Sequence, residues 1–325
     1  MKVLVTGGAG YIGSHAVCEL IEKNYEVIVV DSLITGFTTN LHPEAKYYRA
    51  DLRDYETLKT IFETEKNIVA IMHFAGSIVV SESVIKPLEY FDNNLNGVKV
   101  LLDLANQFNI KHFIFSSTAA VYGEPEEIPI NENNLTKPIN PYGSSKLAAE
   151  WLIQAWAKAN QTNYVIFRYF NVAGAHQNGL IGVKNERLTH LVPVILDAAI
   201  NNKSINIYGN DYATKDGTCI RDFLHVEDLV KAHIIGLEWT LKNNQSEIFN
   251  LGSGHGYSVL EVCNAAKEVL QMELKVNFNN RRSGDPAILL ANIEKAEKIL
   301  NWKAEKTLAE IIQSEFNFRK KFNAK

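Results

Sequence analysis

The 325-residue sequence predicts an α/β protein: a doubly wound parallel sheet with a smaller, loop-rich C-terminal lobe. Two observations predict this. Continuous apolar runs alternate with amphipathic stretches from the first residues, the pattern of parallel strands covered by helices on both faces. After about Asn171 that rhythm gives way to long segments rich in Gly, Asn and Asp, with helices persisting between them.

In chain order, Lys2–Thr6 reads as a buried strand, Tyr11–Glu22 as a helix and Glu26–Val30 as a second strand. Further strands are expected at Lys46–Ala50, Ile68–Phe74, His112–Ser116 and Tyr164–Arg168. Helical periodicity separates them at about Tyr55–Glu65, Pro87–Phe108 and Pro141–Asn160. Beyond Asn171 the loops are Asn171–Asn185, Tyr208–Gly217, Gly252–Tyr257 and Asn279–Pro286. Helices are expected near His190–Asn201, Val226–Leu241, Val259–Leu270 and Leu308–Phe322. This places a first domain at 1–170 and a second lobe at 171–325. A stretch near 225–255 is expected to rejoin the first domain, with Ile248–Leu251 as the returning strand.

The turn after the first strand carries Gly7-Gly8-Ala9-Gly10-Tyr11-Ile12-Gly13, and a helix follows. Gly7, Gly10 and Gly13 permit a tight turn and close approach of backbone to a pyrophosphate. The helix head at Tyr11 and Ile12 adds N–H donors and a positive dipole end. A glycine motif alone is weak, but this one sits between strand and helix and is followed by Asp31 at the end of the second strand. That context makes the fold Rossmann-like and the ligand a dinucleotide. Asp31 is placed to accept from ribose hydroxyls, and Ser32-Leu33-Ile34-Thr35-Gly36 offers no Arg or Lys for a 2′-phosphate, so NAD is expected rather than NADP. Asp51-Leu52, after the third strand, reads either as an adenine contact or, for Asp51, as a helix N-cap.

Tyr142-Gly143-Ser144-Ser145-Lys146 follows Asn140-Pro141, a good N-cap and a good first helical residue. Tyr142 and Lys146 then share one helical face. A free tyrosine titrates near pH ~10 and is a poor base at neutrality. A neighbouring ammonium, the helix N-terminus and the nicotinamide charge all favour its phenolate. The phenolate would take a proton from a substrate hydroxyl while hydride leaves the same carbon. Tyr-x-x-x-Lys is common by chance; Ser116-Ser117-Thr118 at a strand's carboxyl end gives it a site, because ligands bind outside such ends.

Composition excludes other classes. The formal net charge is −4 and the Lys and Arg residues are scattered, unlike the basic stripe of a nucleic-acid binder. Cys18, Cys219 and Cys263 are far apart, with no metal-ligand spacing and no disulfide framework, which suits a reducing compartment. The first apolar run is shorter than a signal-peptide core, and no later run is long enough for a membrane span. A cytoplasmic protein with no metal and no membrane or nucleic-acid partner is expected.

With these motifs in place, the sequence resembles the extended short-chain dehydrogenase/reductases and, among them, the bacterial UDP-glucose 4-epimerases, over nearly the whole chain. The superfamily signal lies in Val5–His15, His73-Phe74-Ala75-Gly76 and Lys86–Asn94. The more specific signal lies in Arg168–Asn171, Tyr208–Tyr212, Asp216–Thr218, Arg221-Asp222, His225-Val226 and Arg281–Asp285. The resemblance implies C4 inversion of a UDP-hexose through a 4-keto sugar, with tightly held NAD and a homodimer. Thr118 would bond the sugar O4, Tyr142 would be the base, and Lys146 its partner on the nicotinamide ribose. Phe74, Ala75, Asn93, Ser116 and Tyr169 match positions on the cofactor side of the pocket. Asn171, His190, Leu191, Tyr208, Arg221, Arg282 and Asp285 match contacts to the substrate, chiefly its UDP. The chemistry agrees, since a diphosphate suits Arg forks and a ribose diol suits a carboxylate.

Three positions depart from that pattern. Ile78 stands where well-known members carry a lysine on the pyrophosphate, and His190 stands where Asn is common, either touching UDP or capping its helix. Leu289 aligns with a tyrosine that closes the sugar pocket in narrow-specificity relatives. Leucine frees volume but offers the acetamido group no hydrogen bond, so N-acetyl sugars are expected to be poor substrates. Two competing readings remain. A 4,6-dehydratase needs an acidic pair after the threonine, where this chain has Ala119 and Ala120. A non-catalytic NAD sensor of the same fold would not need Tyr142 and Lys146.

Overall fold

The computed structural model describes residues 1–184, 190–282 and 285–323. The elements run β1 (Lys2–Thr6), α1 (Tyr11–Glu22), β2 (Glu26–Asp31), β3 (Lys46–Arg49), α2 (Tyr55–Thr64), β4 (Ile68–His73), α3 (Val80–Ile85), α4 (Pro87–Phe91), α5 (Gly97–Gln107), β5 (His112–Ser116), α6 (Pro141–Asn160) and β6 (Asn163–Tyr169). They continue as β7 (Asn171–Ala173), α7 (Leu191–Ile200), β8 (Ser204–Tyr208), β9 (Ile220–His225), α8 (Val226–Asn243), β10 (Glu247–Leu251), β11 (Gly256–Ser258), α9 (Val259–Leu270), β12 (Lys275–Asn279), β13 (Ile288–Leu289), α10 (Glu294–Leu300) and α11 (Leu308–Asn323).

The chain divides into two compact units. The first comprises 1–123, 135–168 and 230–249; the second comprises 124–134, 169–229 and 250–325. The first holds a seven-stranded sheet in the order β10-β6-β5-β4-β1-β2-β3. The pairs from β6 across to β3 are all parallel. The reversal of order beside β1 is the switch point at which α/β sheets bind ligands. The strands are apolar along their length because helices cover both faces: Val3, Leu4, Val5, Ile71, Phe113, Phe115 and Ile166 are fully buried. Ile248–Leu251 lies within β10, which takes the edge place beside β6.

The expected helix Pro87–Phe108 is not continuous. Asp92–Asn96 forms a π turn between α4 and α5. Asp92, Asn93, Asn94 and Asn96 are weak helix formers, and such bulges commonly re-aim side chains at functional sites.

The second unit is built on β9, which takes three partners. Its first half lies between antiparallel β11 and parallel β13, and its second half pairs with parallel β7. A two-stranded parallel ribbon joins β12 to β8. Helices α7, α9 and α11 supply Val192, Ile195, Leu196, Val262, Ile311 and Ile312 to its core. These strands have two to six residues; the sequence reading put β7 and most of β11 in loops and left β8, β9, β12 and β13 unassigned, although Ser204–Tyr208 and Lys275–Asn279 do alternate.

Candidate functional site

The glycine turn is formed by steric necessity. Gly7 has φ +74°, and a Cβ there would lie 2.6 Å from the Ala75 nitrogen. A Cβ on Gly13 would lie 2.1 Å from the Gly7 carbonyl oxygen, so α1 can start against the turn only with hydrogen at that position. Gly10 N donates to Gly7 O at 3.0 Å, Gly10 caps α1 in extended conformation, and Tyr11, Ile12 and Gly13 form its first turn. The Asp31 carboxylate is buried at the end of β2, where it accepts from Ala9 N at 2.9 Å and Leu33 N at 2.8 Å. These bonds aim it at the glycine turn, and its remaining lone pairs suit a ribose diol.

Asp51 does not cap α2. Asp54 is the cap and accepts from Thr57 N at 3.2 Å. Asp51 instead holds Arg53 through Nε at 2.9 Å and Nη2 at 2.6 Å, and Arg53 also reaches Asp92 at 2.6 Å. Leu52 is half-buried against Gly97.

At the carboxyl end of β5 the predicted chemical groups meet. Asn140 caps α6, accepting from Gly143 N at 2.8 Å, and Pro141 opens the helix. Tyr142 and Lys146 are both buried on its inward face. Lys146 Nζ donates to the Ser116 carbonyl at 3.0 Å and lies 4.8 Å from the centre of the Phe115 ring. Burial pulls the Lys146 ammonium down to about 8, with the Glu150 charge opposing. Thr118 Oγ accepts from Ala120 N at 3.1 Å, and its hydroxyl is near enough to the Tyr142 phenol to favour the phenolate. Burial pushes that phenol above its ordinary value, and the Thr118 hydroxyl only partly offsets the rise. The expected net push toward phenolate is therefore not met by the protein alone, because desolvation outweighs it.

Beside the expected Asn93, the π turn supplies a residue the sequence reading did not select, Asn94. Asn93 donates to Ser77 Oγ at 2.9 Å. Its neighbour Asn94 is fully enclosed, accepts from Ser77 N at 2.7 Å and donates to Ser145 Oγ at 3.0 Å. A Cβ on Gly76 would meet Asn94 Oδ1 at 3.0 Å and Lys146 Nζ at 3.4 Å. Gly76 thus keeps open a space beside the ammonium. The signal in the sequence was Asn93-Asn94 inside an otherwise helical run. Phe74 and Ala75 flank this floor half-buried, Tyr169 is half-buried at the end of β6, and Ile78 is exposed.

In the second unit, β-sheet register gathers residues far apart in sequence. Arg221 stands opposite Tyr257 on one side and Leu289 on the other, so the three side chains share a face. Arg221 also ion-pairs with Asp285. Asn171 stands opposite Phe223 and donates to the Asp222 carbonyl at 3.3 Å. Asp222, unassigned from sequence, is fully buried and accepts from Ser253 N at 2.6 Å, Gly254 N at 3.1 Å and Ala291 N at 3.3 Å. It ties the strands that present Arg221 and Leu289. Arg282 covers the Tyr208 ring at 4.0 Å, as Arg281 does Tyr212 at 4.2 Å. Ser283 and Gly284 of the predicted motif, and Asn185 at the end of a predicted loop, lie outside the described residues. His190 occupies the N-cap position of α7 but makes no side-chain capping bond, and Leu191 follows it. Burial holds the His190 imidazole below its ordinary value.

Among the described residues no cluster could hold a metal ion, and no helix is long and apolar enough to cross a membrane. Comparison with known proteins agrees with the geometry. Residues 3–252 match the model of the NAD dependent epimerase/dehydratase family. The chain is 47% identical over 321 residues to a UDP-glucose 4-epimerase of Lacticaseibacillus casei, covering 98% of this chain and 96% of that one. It is 48% identical over 305 residues to that of Lactobacillus helveticus, covering 93% and 92%. A crystal structure of the Bifidobacterium longum UDP-glucose 4-epimerase in complex with NAD+ and UDP superposes with a TM-score of 0.91 at 40% identity, covering 99% of this chain and 98% of that one. With a glycine turn, a buried acid at the end of β2 and a tyrosine–lysine pair on α6 set around one parallel sheet, and with these matches over most of its length, the chain belongs to the NAD dependent epimerase/dehydratase family.

Proposed function

We propose that this chain inverts C4 of UDP-glucose and UDP-galactose reversibly, with NAD as a resident cofactor. The observation that carries the reading is the group at the end of β5: Thr118, Tyr142 and Lys146 are buried together, with Lys146 one turn beyond Tyr142 on α6 and tied to the Ser116 carbonyl. Bound NAD supplies the two-electron oxidation and re-reduction of C4. Gly7, Gly10, Tyr11, Ile12 and Gly13 would hold its pyrophosphate and Asp31 its adenosine ribose. Asp51 and Leu52 are assigned to the adenine side, and Phe74, Ala75, Asn93, Ser116 and Tyr169 to the nicotinamide side.

Tyr142 takes the O4 proton and later returns it, while Thr118 orients O4 and the phenol together. Lys146 would hold the nicotinamide ribose and, as an ammonium, favours the phenolate. The two hydride transfers use opposite faces of the sugar, so the hexose must turn between them while UDP stays fixed. We assign that anchoring to the second unit, through Asn171, His190, Leu191, Tyr208, Arg221, Arg282 and Asp285. Remote binding of UDP restrains an intermediate that would otherwise be lost. Ala119 and Ala120 continue into a 3₁₀ turn and offer no acid or base for eliminating water, which separates this reading from a dehydratase.

Two further assignments accompany it. A homodimer is supported by an apolar face between α5 and α6: Phe91, Leu95, Ala148, Trp151 and Leu152 line a groove there, and Trp151 is 60% exposed. A cytoplasmic location is supported by three buried, unpaired cysteines. The deciding experiment incubates purified protein with UDP-glucose, UDP-galactose and UDP-N-acetylglucosamine and separates the products. Interconversion of the first two without added NAD supports the reading; a 4-keto-6-deoxy product, or no turnover with NAD bound, overturns it.

A further inference from the structure

Behind the Tyr142–Lys146 pair lies a buried charge pair that the reaction as written does not use. Glu150 is fully enclosed and follows Lys146 by one turn of α6. Arg168 of β6 grips it through Nη2 at 2.6 Å and Nε at 3.1 Å. The other ties run to the segment that carries Thr118. Ser117 Oγ donates to Glu150, and Arg168 Nη1 donates to the Tyr122 hydroxyl at 3.0 Å. Ser117 and Tyr122 therefore pin both ends of the turn whose first residue is Thr118. Ser116, next to Ser117, supplies the carbonyl that holds Lys146 Nζ.

Stability alone is a poor reason for such a pair. Desolvating two ions costs about as much as their attraction returns, and apolar replacements of both are often neutral or stabilising. What an apolar pair would not reproduce is the directed bonding to Ser117 and Tyr122, or a negative charge one turn below the ammonium.

Resting on the epimerase reading above, we propose that Glu150, fixed by Arg168, is a positioning residue for proton transfer: through Ser117 and Tyr122 it sets the Thr118 hydroxyl against the Tyr142 phenol, and its charge keeps Lys146 an ammonium. The ionisable groups facing this assembly are His73 from β4, Tyr90 from α4, Tyr122 from the turn after Thr118, Tyr164 and Arg168 from β6, and His233 from α8. Burial holds His73 far below its ordinary value, so it brings no competing positive charge. Glu150 is the counter-charge acting on Lys146, which titrates at about 8.

The test compares wild type with Ser117→Ala and with the double variant Glu150→Leu/Arg168→Met, which removes both charges together and leaves neither ion stranded. Wild-type turnover of UDP-galactose is measured first, since its absence would refute the epimerase reading and not this inference. Ser117→Ala is expected to lower kcat by about 10-fold with KM within about twofold, because sub-ångström misplacement acts on the transfer step. The double variant is expected to retain NAD and lose kcat by about 10²-fold. The high-pH limb of its kcat profile should move down by about one unit, as Lys146 loses its counter-charge. A folded double variant with unshifted pH limbs and wild-type kcat would overturn the proposal. If the double variant does not fold, an unchanged kcat in Ser117→Ala overturns it by itself.

Discussion

At the scale of single residues, burial sets the chemistry. Tyr142 and Lys146 are enclosed with little water to stabilise either charged form, so the phenol is pushed up and the ammonium down to about 8. Tyr142→Phe removes the proton acceptor and little volume. It should preserve NAD and UDP-sugar binding while lowering kcat by about 10²–10⁴-fold, as read by steady-state assay and ligand titration. Lys146→Met should behave differently. An ammonium displaced from 10.5 to about 8 destabilises the folded protein at pH 7 by up to about 3 kcal/mol, at about 1.4 kcal/mol per pKa unit. Below pH 8 both folded and unfolded chains carry the proton, so the penalty is complete. It falls between 8 and 10.5 as the folded state sheds the proton first. Lys146→Met is thus expected to raise the urea midpoint at pH 7, to lose that advantage toward pH 10.5, and to lose turnover throughout. A lower midpoint at pH 7 would show that the Ser116 bond outweighs desolvation.

At the scale of elements, the second unit turns register into specificity. Leu289 lies opposite Arg221 because β13 runs parallel to β9, so any change at Leu289 is felt beside the proposed diphosphate anchor. An acetamido group seated there without a partner would cost about 1–3 kcal/mol, or about 5- to 150-fold in affinity. Leu289→Ser should raise the kcat/KM ratio of UDP-N-acetylglucosamine to UDP-glucose by about 10-fold, and Leu289→Tyr should reduce it further below wild type. Equal ratios in both variants would move the pocket wall to another residue. The π turn at Asp92–Asn96 shows the other elementary lesson: one extra residue per turn swings Asn94 onto Ser77 and Ser145, which an unbroken helix would not do.

At the scale of the whole molecule, the outer face of α5 and α6 is where the proposed second copy would sit. Helix α6 buries Tyr142, Lys146, Glu150 and Ile153 on one side and exposes Trp151 on the other. The exposed Trp151 with Phe91, Leu95, Ala148 and Leu152 makes an apolar groove on the side away from the sheet, a face that suits a partner. Trp151→Glu should reduce the mass measured by light scattering at micromolar concentration from dimer to monomer, with far-UV circular dichroism unchanged. A monomeric wild type would refute the dimer.

The sequence alone determined what depends on near neighbours along the chain. Alternating apolar runs announced the parallel sheet, the glycines and Asp31 announced the dinucleotide turn, and Asn140-Pro141 announced the helix that sets Tyr142 and Lys146 four apart. Each is a periodicity, steric or capping rule that acts along one short stretch of chain or between adjacent elements. Only the tertiary structure decided that Asp54 and not Asp51 caps α2, that Asn94 joins Asn93 at the site, and that Glu150 and Arg168 stand behind Lys146. It also set Asn171, Arg221, Asp285 and Leu289 around one three-partner strand. Those outcomes turn on burial and on pairings between distant segments, where desolvation and long-range register override local preference.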